Sequence, residues 1–371
     1  MSDIRIEKVT SKKGFKNFLF FPWKVYKGDP NWVPPLIADM KDKLNKTKNP
    51  FFEHADIDLF LAYRGNEVVG RIAAILDENH IKFHQEKAGF FGLYESYEDP
   101  DVAEKLLDAA SNWCRARKME ILRGPMNISM NDECAFLLEG FDSPPVYLLA
   151  YNPPYYLELM EQCGLKKAKD LYAYFMTRDH DTAEKVDHIV NKIKNETSVK
   201  LRSVDVRQIK EAEKIKYVYN NAWEKNWGFV PWTEKEMEHI FRKLRLFADP
   251  KIVILAEEGD KPIGFAFGFP NYNEVIQRIK GRLTPLGILK FLYYKNKIKG
   301  MRAVVFGILK EYRNTGVSYL LYSELNKRGI ERGYQWCETS WQLEDNDAVN
   351  RFTESIGGKL YKKYRIFEKK I

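Results

Sequence analysis

A short loop of small and polar residues joins an apolar stretch to an amphipathic stretch late in the sequence. The apolar stretch is AVVFGIL and the loop is RNTGVS (residues 313–318), after which Leu320, Leu321 and Leu325 recur with the spacing of one helix face. A strand, a small-residue loop and a helix in this order can bind an anion, because the first amides of a helix lack internal partners and the helix dipole favours negative charge there. An ordinary strand–turn–helix junction is the alternative.

A second candidate site is the polar segment GPMNISMNDECAFLLEGF, which begins at Gly124. Its amide, hydroxyl and carboxyl groups follow a predicted strand, and strand ends and long loops commonly hold polar substrate groups. We expect a cleft for an amine or amino acid acceptor, with Asp132 or Glu133 as the base or as the partner of an ammonium group. The expected substrate-binding residues are Asn127, Ser129 and Asn131. A capped turn leading into a structural loop is the alternative.

A third candidate is the basic segment EVIQRIKGRLTPLGILKFLYYKNKIKG, residues 274–300. It holds seven Lys or Arg residues against one Glu, with apolar residues such as Leu286, Leu289 and Leu292 between them. This pattern predicts a basic amphipathic lid that contacts an anionic membrane surface or an acidic acyl carrier protein, or that shelters a long acyl chain. A two-helix cap packed on its own domain is the alternative.

The elements that must position these residues occur twice in the chain. LFLAYRGNEVVGRIAAI begins at Leu59 and VILAEEGDKPIGFAFGF begins at Val253, an offset of 194 residues, and each predicts a hairpin with a Gly-containing turn. Asn152 and Asn346 share the same offset, and each opens an aromatic-containing helix that is followed by Gly and a lysine-rich strand. The pattern predicts an internal duplication of two α+β units.

The two halves differ at the loop that could bind an anion. Spacing from the following strand aligns RNTGVS with EDPDVA, residues 98–103, in the first half. Asp99 and Pro100 predict a helix N-cap there, but three carboxylates would oppose an anion and proline removes one amide donor. We therefore expect an anion site in the second half only.

These elements and the loop Arg313-Asn314-Thr315-Gly316-Val317-Ser318 resemble the GNAT family of acyl-CoA N-acyltransferases, whose loop has the pattern Arg/Gln-x-x-Gly-x-Gly/Ala. The resemblance implies an α+β fold of two tandem GNAT-like domains, each with a central mixed, mainly antiparallel sheet flanked by helices. Residues 1–180 would form a degenerate GNAT-like domain. Residues 181–371 would form a GNAT-like acyl-CoA-binding domain with the basic helical insertion at 274–300.

The same resemblance implies a site for acetyl-CoA or a longer acyl-CoA as donor. The backbone of Ile308 and Leu309 would pair with the pantetheine arm, and Asn346 would open the helix near the thioester. The amides implied to cradle the pyrophosphate are those of Arg313, Asn314, Thr315, Gly316, Val317 and Ser318.

One family feature is absent from the sequence. Many members have a Tyr four residues before the Gly that ends the helix, where it acts as the acid for the leaving thiolate. Thr353 stands at that position here when counted from Gly357, and Glu354 when counted from Gly358, and we take Thr353 as the candidate. An amine attacks a thioester with only modest acid–base help, so this difference does not exclude activity.

The composition limits the class of protein. Of 371 residues, 44% are hydrophobic and 14% aromatic, which is typical of a globular protein, and no apolar run of transmembrane length occurs. The N-terminal residues lack the apolar core of a secretory signal, so we expect a cytoplasmic location. The net charge of +8 is moderate and suits anionic small molecules or an acidic protein, and with no recognition motif in the sequence we expect no binding of nucleic acid. His80 and His84 have no third ligand nearby, so we expect no metal.

The expected function is transfer of an acyl group from acyl-CoA, or from an acyl carrier protein, to the primary amine of a small-molecule acceptor. The second half would hold the donor. A catalytically inactive tandem GNAT protein that binds acyl-CoA or acts as a scaffold is the alternative.

Overall fold

The computed structural model describes residues 3–177, 180–205, 208–247 and 249–371. The chain divides into two compact units, which are described separately. Unit 1 consists of Met1–Leu171, Ile276–Ile288 and Lys362–Ile371, and unit 2 of Tyr172–Val275 and Leu289–Tyr361. The expected division into domains 1–180 and 181–371 stays a prediction.

The first half of the chain contains the predicted hairpin, followed by a strand, a helix and further strands with a last helix between them. Its elements are β1 (Ile4–Lys8), α1 (Lys12–Phe20), α2 (Pro22–Val25), α3 (Ile37–Lys43), β2 (Ala55–Arg64), β3 (Glu67–Asp77), α4 (Glu78–His84), β4 (Ala88–Ser96), α5 (Pro100–Arg115), β5 (Ile121–Gly124), β6 (Met126–Asn127), β7 (Glu133–Cys134), β8 (Phe136–Glu139), α6 (Tyr155–Gln162) and β9 (Lys166–Thr177). A 3-10 helix also covers Pro50–Glu53.

The second half repeats the hairpin and the strand, helix, strand, helix, strand succession that follows it, with two helices after its hairpin and, among its described residues, no counterpart of β6–β8. Its elements are α7 (His180–Glu196), β10 (Lys200–Ser203), α8 (Ile209–Ala222), α9 (Glu234–Phe247), β11 (Val253–Glu258), β12 (Lys261–Pro270), α10 (Asn273–Ile279), α11 (Pro285–Tyr294), β13 (Gly300–Ile308), α12 (Val317–Glu331), β14 (Trp336–Leu343), α13 (Asp347–Ser355) and β15 (Lys359–Lys370). Single 3-10 turns cover Pro250–Ile252, Lys295–Lys297 and Lys310–Tyr312.

Unit 1 contains a sheet in the order β1-β2-β3-β4-β5-β15, where β15 contributes its residues from Lys362 onward. Neighbouring strands are antiparallel except for the parallel pair β4–β5. Helix α5 begins at Pro100 and buries Val102, Leu106 and Ala110 in the core of this unit, together with Phe367 of β15. The mixed, mainly antiparallel sheet with a helix packed on it confirms the predicted fold class for this unit.

Unit 2 has the corresponding sheet, in the order β9-β14-β13-β12-β11-β10, with β13 and β14 parallel. Helix α12 buries Val317, Leu321 and Leu325 against Ile254 and Ala256 of β11, so the predicted apolar face of this helix is confirmed. The fold class is therefore also confirmed for the second unit.

The two hairpins agree in backbone detail. Gly65 and Gly259 each adopt a φ of 59° in two-residue turns, a conformation that glycine adopts without strain. In each hairpin the strand register shifts immediately after the pair Ala62–Gly70 or Ala256–Gly264. These are equivalent positions at the predicted offset, which supports the interpretation of a duplicated unit.

Candidate active site

Helix α12 begins with backbone amides that the protein itself does not satisfy. No described residue accepts a hydrogen bond from the amides of Asn314, Gly316, Val317 or Ser318, and no side chain caps this helix. The amides of Arg313 and Thr315 instead donate to carbonyls of the preceding 3-10 turn. Four unpaired donors at the positive end of a helix dipole form a site that favours phosphate oxygens.

Gly316 adopts a backbone conformation that the loop requires. Its φ is 82°, and an added Cβ would lie 2.4 Å from Cδ1 of Ile193 on α7. A side chain at this position would therefore be strained and would also displace the Ile193 side chain. The glycine of the predicted motif is thus needed both for the turn and for the close packing of two helices.

Strands β13 and β14 separate beside this loop. Their parallel pairing runs from Gly300–Trp336 to Ala303–Thr339, and no further pair joins them among the described residues, although β13 continues to Ile308 and β14 to Leu343. The gap leaves one edge of the second half of β13 without a strand beside it, so an extended ligand could pair with that edge.

Arg313 and Trp223 pack against the end of β13 beside this gap. The Arg313 guanidinium donates to the carbonyl of Ala222 at 2.6 Å and to that of Ile308 at 3.4 Å, which ties the end of α8 to the end of β13. The Trp223 ring lies on Gly307, where an added Cβ would be 2.1 Å from the indole. Trp223 belongs to an aromatic group with Tyr219, Phe229, Trp232 and Phe265.

A buried polar cluster lies where β13 and β14 still pair. Glu338 is fully buried opposite Arg302 in the strand register, and its carboxylate accepts hydrogen bonds from the hydroxyls of Ser340 and Tyr361. Arg302 in turn donates to the Ser340 side chain at 3.0 Å and to its carbonyl at 3.1 Å. A carboxylate in this position could accept a proton.

Sequence reasoning missed this cluster. A glutamate in the middle of the strand QWCETSW is the only signal for it, because strand interiors seldom contain charged residues. The neighbouring Cys337 is a poor nucleophile, since burial raises the pKa of its thiol to about 12 and keeps it protonated.

Helix α13 places two of the predicted residues. Asn346 is its N-cap, and its side chain accepts a hydrogen bond from the amide of Val349. Thr353 is buried, and its hydroxyl accepts a hydrogen bond at 2.9 Å from the side chain of Gln342 on β14. Asn350 is 8% exposed and its side-chain oxygen has no hydrogen-bond partner among the described residues. The structure therefore brings both predicted residues next to β14 in unit 2.

The predicted acceptor residues lie together in unit 1, on the small hairpin of β6 and β7. Asp132 forms an ion pair of 3.0 Å with Lys43, and its carboxylate accepts a hydrogen bond of 3.0 Å from Ser129. Burial lowers the pKa of Lys43, but the nearby carboxylates of Asp132 and Glu133 outweigh it, and the net pKa is raised. Asn127 accepts from the amide of Leu93, and the amide of Asn131 donates to Ser129.

The equivalent of the donor site in unit 1 is filled by the protein's own side chains. Asp99 accepts hydrogen bonds from the amides of Asp101 and Val102 and pairs with Arg64 at 2.6 Å, so α5 is already capped by an anion. Ser96 occupies the strand position of Ile308, because each pairs with the equivalent glycine of its hairpin.

Two tyrosines of α6 occupy the backbone groups of Ser96. The Ser96 amide donates to the Tyr156 hydroxyl at 2.9 Å, and the Tyr155 hydroxyl donates to the Ser96 carbonyl at 2.8 Å. Tyr156 also donates to Glu95, whose pKa is raised because burial outweighs the effect of Arg71. In unit 1 the groups that could bind an extended ligand are therefore already paired.

No candidate metal centre is found in the part of the chain that the structure describes, since no group of three or more His, Cys, Asp or Glu side chains converges. The rings of His80 and His84 lie 4.4 Å apart, and burial lowers the pKa of His80 to about 4. The absence of a metal stays a prediction, as does a cytoplasmic location. Within the described residues, no helix is both long enough and apolar enough to cross a bilayer.

Comparison of the sequence with known proteins shows the family to which the chain belongs. The chain is 34% identical over 377 residues to a protein named bacterial ceramide synthase from Caulobacter vibrioides, which covers 99% of this chain and 98% of that protein. The chain belongs to the family of this synthase. Protein YghO of Escherichia coli is a second family relative, 31% identical over 369 residues and 97% of this chain. No family model matches the sequence.

Solved structures show the same fold as this family member. A tandem GNAT protein from the clavulanic acid biosynthesis pathway superposes over 99% of this chain and 98% of that protein, with a TM-score of 0.60 and 10% identity. A GCN5-related N-acetyltransferase from Sphaerobacter thermophilus gives a TM-score of 0.52 at 12% identity, over 99% of this chain and 95% of that one. The predictions of a tandem GNAT fold and of an acyltransferase are confirmed.

Proposed function

We propose that this acyltransferase moves a long acyl group from acyl-CoA to the primary amine of a lipid-like acceptor, a long-chain amino alcohol. The name of the Caulobacter relative supports the acceptor class, because a ceramide is the amide of a fatty acid with a long-chain amino alcohol. The observation that carries the proposal is the set of four unpaired amides at the start of α12, beside the gap between β13 and β14. The unpaired amides would bind the phosphates of CoA, and the open edge of β13 would pair with its extended pantetheine arm.

In this proposal the donor lies in unit 2. The amides of residues 313–318 hold the pyrophosphate, mainly through Asn314, Gly316, Val317 and Ser318, and the backbone of Ile308 and Leu309 lines the pantetheine arm. The amine nitrogen attacks the thioester carbonyl, the carbon–sulfur bond breaks, and the CoA thiolate leaves and takes up a proton. The nitrogen loses its proton to a base, which leaves a neutral amide.

Glu338 is our proposed base, because its carboxylate lies buried one residue before the pairing of β13 and β14 ends. Tyr361 donates to it and would stabilise its charge. Thr353 and Asn346, which lie beside β14, are proposed to position the thioester end of the donor.

The hairpin of β6 and β7 is proposed to bind the polar head of the acceptor. Asn127, Ser129 and Asn131 would offer hydrogen bonds, and Asp132 and Glu133 stay the second proposed base. Asp132 is paired with Lys43 at 3.0 Å, which makes its carboxylate less basic than a free one.

Product formation tests the function directly. The purified protein is incubated with acyl-CoAs from acetyl to palmitoyl and with sphinganine, and amide formation is followed by mass spectrometry alongside release of free thiol. A matched acceptor in which the nitrogen carries two methyl groups should give no product. Ester formation, or transfer of the acetyl group alone, would contradict the proposed chemistry. Palmitoyl-acyl carrier protein is tested in parallel as the other donor form.

The donor site is tested by a pair of glycine variants on one helix. Gly316→Glu should abolish CoA binding in calorimetry, because a side chain strains the loop that presents the amides and adds a negative charge beside them. Gly333→Glu, just beyond the C-terminal end of α12, is the control: Gly333 also has a positive φ, 86°, but no atom lies within 4 Å of its missing Cβ. Urea unfolding of both variants separates lost binding from lost folding, and equal CoA affinity in the two would overturn this site.

A further inference from the structure

Helix α11 exposes an unusual amount of apolar side chain. Among its described residues only Gly287 is buried. The exposed apolar side chains on it and just before it, with their exposed fractions, are Leu283 41%, Leu286 63%, Ile288 46%, Leu289 66%, Leu292 49% and Tyr293 59%. Large apolar patches of this kind on a protein surface mark contact sites for a partner or a membrane.

Basic side chains surround this apolar helix. The exposed ones in the segment are Arg278, Lys280, Arg282, Lys290, Lys295, Lys297 and Lys299. The single acid of the segment, Glu274, accepts hydrogen bonds from the amides of Lys299 and Gly300. Lys297 lies 4.0 Å from the centre of the Tyr293 ring, so charge and apolar surface meet directly.

The residues that precede α11 are fixed on unit 1. Gln277 donates to the carbonyl of Pro30 at 2.8 Å, and the amide of Ile37 donates to the carbonyl of Gly281 at 3.2 Å. Gly281 packs so closely that an added Cβ would lie 2.4 Å from the carbonyl of Pro35. The apolar helix is therefore presented on an ordered base, and little further ordering is needed for it to bind a surface.

We infer that α11 docks the protein on an anionic lipid surface, lying in the plane of the headgroups with its leucines inserted and its lysines against the phosphates. A helix of 10 residues is about 15 Å long, too short to cross a bilayer but sufficient to lie in the interface. Charge complementarity selects an anionic surface, and the exposed leucines select one with an apolar interior. An acidic protein would cover this surface only if it offered an apolar groove as well as carboxylates, whereas an anionic bilayer supplies both.

This inference goes beyond the proposed function and stands without it. Docking concerns the surface of α11, whereas acyl transfer concerns α12 and the gap between β13 and β14. Vesicle binding therefore tests the inference even if no acyl transfer is found. If both hold, docking would bring the enzyme to the membrane in which a long-chain acceptor dissolves.

The apolar part is tested by co-sedimentation of the full chain with vesicles of phosphatidylcholine containing one-third phosphatidylglycerol. The triple change Leu286→Ser, Leu289→Ser and Leu292→Ser should weaken binding by about tenfold or more, because each leucine loses its apolar burial. The matched control replaces three other exposed apolar residues by Ser, Phe83, Ile330 and Leu360. The control should bind as the wild type does.

The charged part is tested with the same vesicles. Changing Lys290, Lys295, Lys297 and Lys299 to Gln should weaken binding by about tenfold or more and reduce its salt dependence. Four exposed lysines elsewhere, Lys12, Lys13, Lys16 and Lys166, are changed to Gln as the control of equal net charge. The wild type should bind vesicles of pure phosphatidylcholine at least tenfold more weakly.

Three results would overturn the inference. One is wild-type affinity in both α11 variants. Another is a dimer in sedimentation that the leucine changes dissociate, since α11 would then be covered by a second copy. The third is binding to an acidic acyl carrier protein that requires the four lysines while the vesicles are not bound.

Discussion

At the scale of single residues, Glu338 illustrates how a site can escape a motif search. The sequence around it predicts only a strand and contains no catalytic motif. The fold makes it a candidate base, because it brings Ser340, Arg302 and Tyr361 around its carboxylate. Tyr361 lies on β15, far along the chain from β13. Gly316, in contrast, was predicted from a local pattern, because a strand–loop–helix junction is encoded by neighbouring residues.

We expect Glu338→Gln to lower kcat by about 100-fold or more, the usual contribution of a general base, while the Kd for CoA stays within about threefold. Glu338→Asp should recover part of the activity, because it restores a carboxylate. Stopped assays of thiol release and calorimetry give the two quantities. The comparison pair is Asp132→Asn and Glu133→Gln in unit 1. If these two lower kcat and Glu338→Gln does not, the base lies on the β6–β7 hairpin instead.

At the scale of elements, most helices and strands follow from periodicity and turn chemistry. The two hairpins, the cap at Asp99 and the helix after Gly316 were all predicted from local sequence. The register shift after Ala62 and Ala256 was not, since it depends on pairing across the sheet. The basic insertion was predicted as helical, but the exposure of α11 depends on which surfaces the rest of the chain covers.

The N-terminus of α5 corresponds to the start of α12 but is capped by Asp99. Asp99→Ala should lower the free energy of unfolding by about 1 kcal/mol, because the amides of Asp101 and Val102 lose their cap. CoA affinity should not change, because the donor lies in unit 2. Urea unfolding and calorimetry measure the two effects. Asp101→Lys, which leaves the cap intact, is the companion variant and should also leave CoA affinity unchanged. A loss of CoA binding in either would mean that unit 1 holds the donor.

At the scale of the whole molecule, the duplication is visible in the packing as well as in the sequence. A Cβ added to Gly70 would meet Leu106 of α5, and one added to Gly264 would meet Leu321 of α12. Both glycines allow a helix to approach its hairpin, so the same contact occurs once in each unit. Sequence comparison within one chain found this repeat because it is local. It could not show that β15 contributes its last residues to unit 1, since that choice depends on long-range pairing.

Strand β15 therefore offers a test of how the units are built. Phe367→Ala should lower the free energy of unfolding by about 3 to 5 kcal/mol, because Phe367 is buried in the core of unit 1. Leu360→Ala on the same strand should cost less than about 0.5 kcal/mol, since that side chain is 42% exposed. Hydrogen exchange in the Phe367 variant should accelerate first at Ile121–Gly124, the partner residues on β5. Acceleration first on β13 and β14 would contradict this assignment.

The return of β15 to unit 1 sets an order of events during synthesis. Residues 121–124 leave the ribosome early, but their pairing partners, residues 367–370, are translated only after the whole of unit 2. At ordinary translation rates this interval lasts on the order of ten seconds or more. Throughout that time the nascent chain carries a sheet with one open edge, the kind of edge that pairs with other chains. An edge that waits this long exposes the nascent chain to pairing with other chains until residues 367–370 emerge and close it.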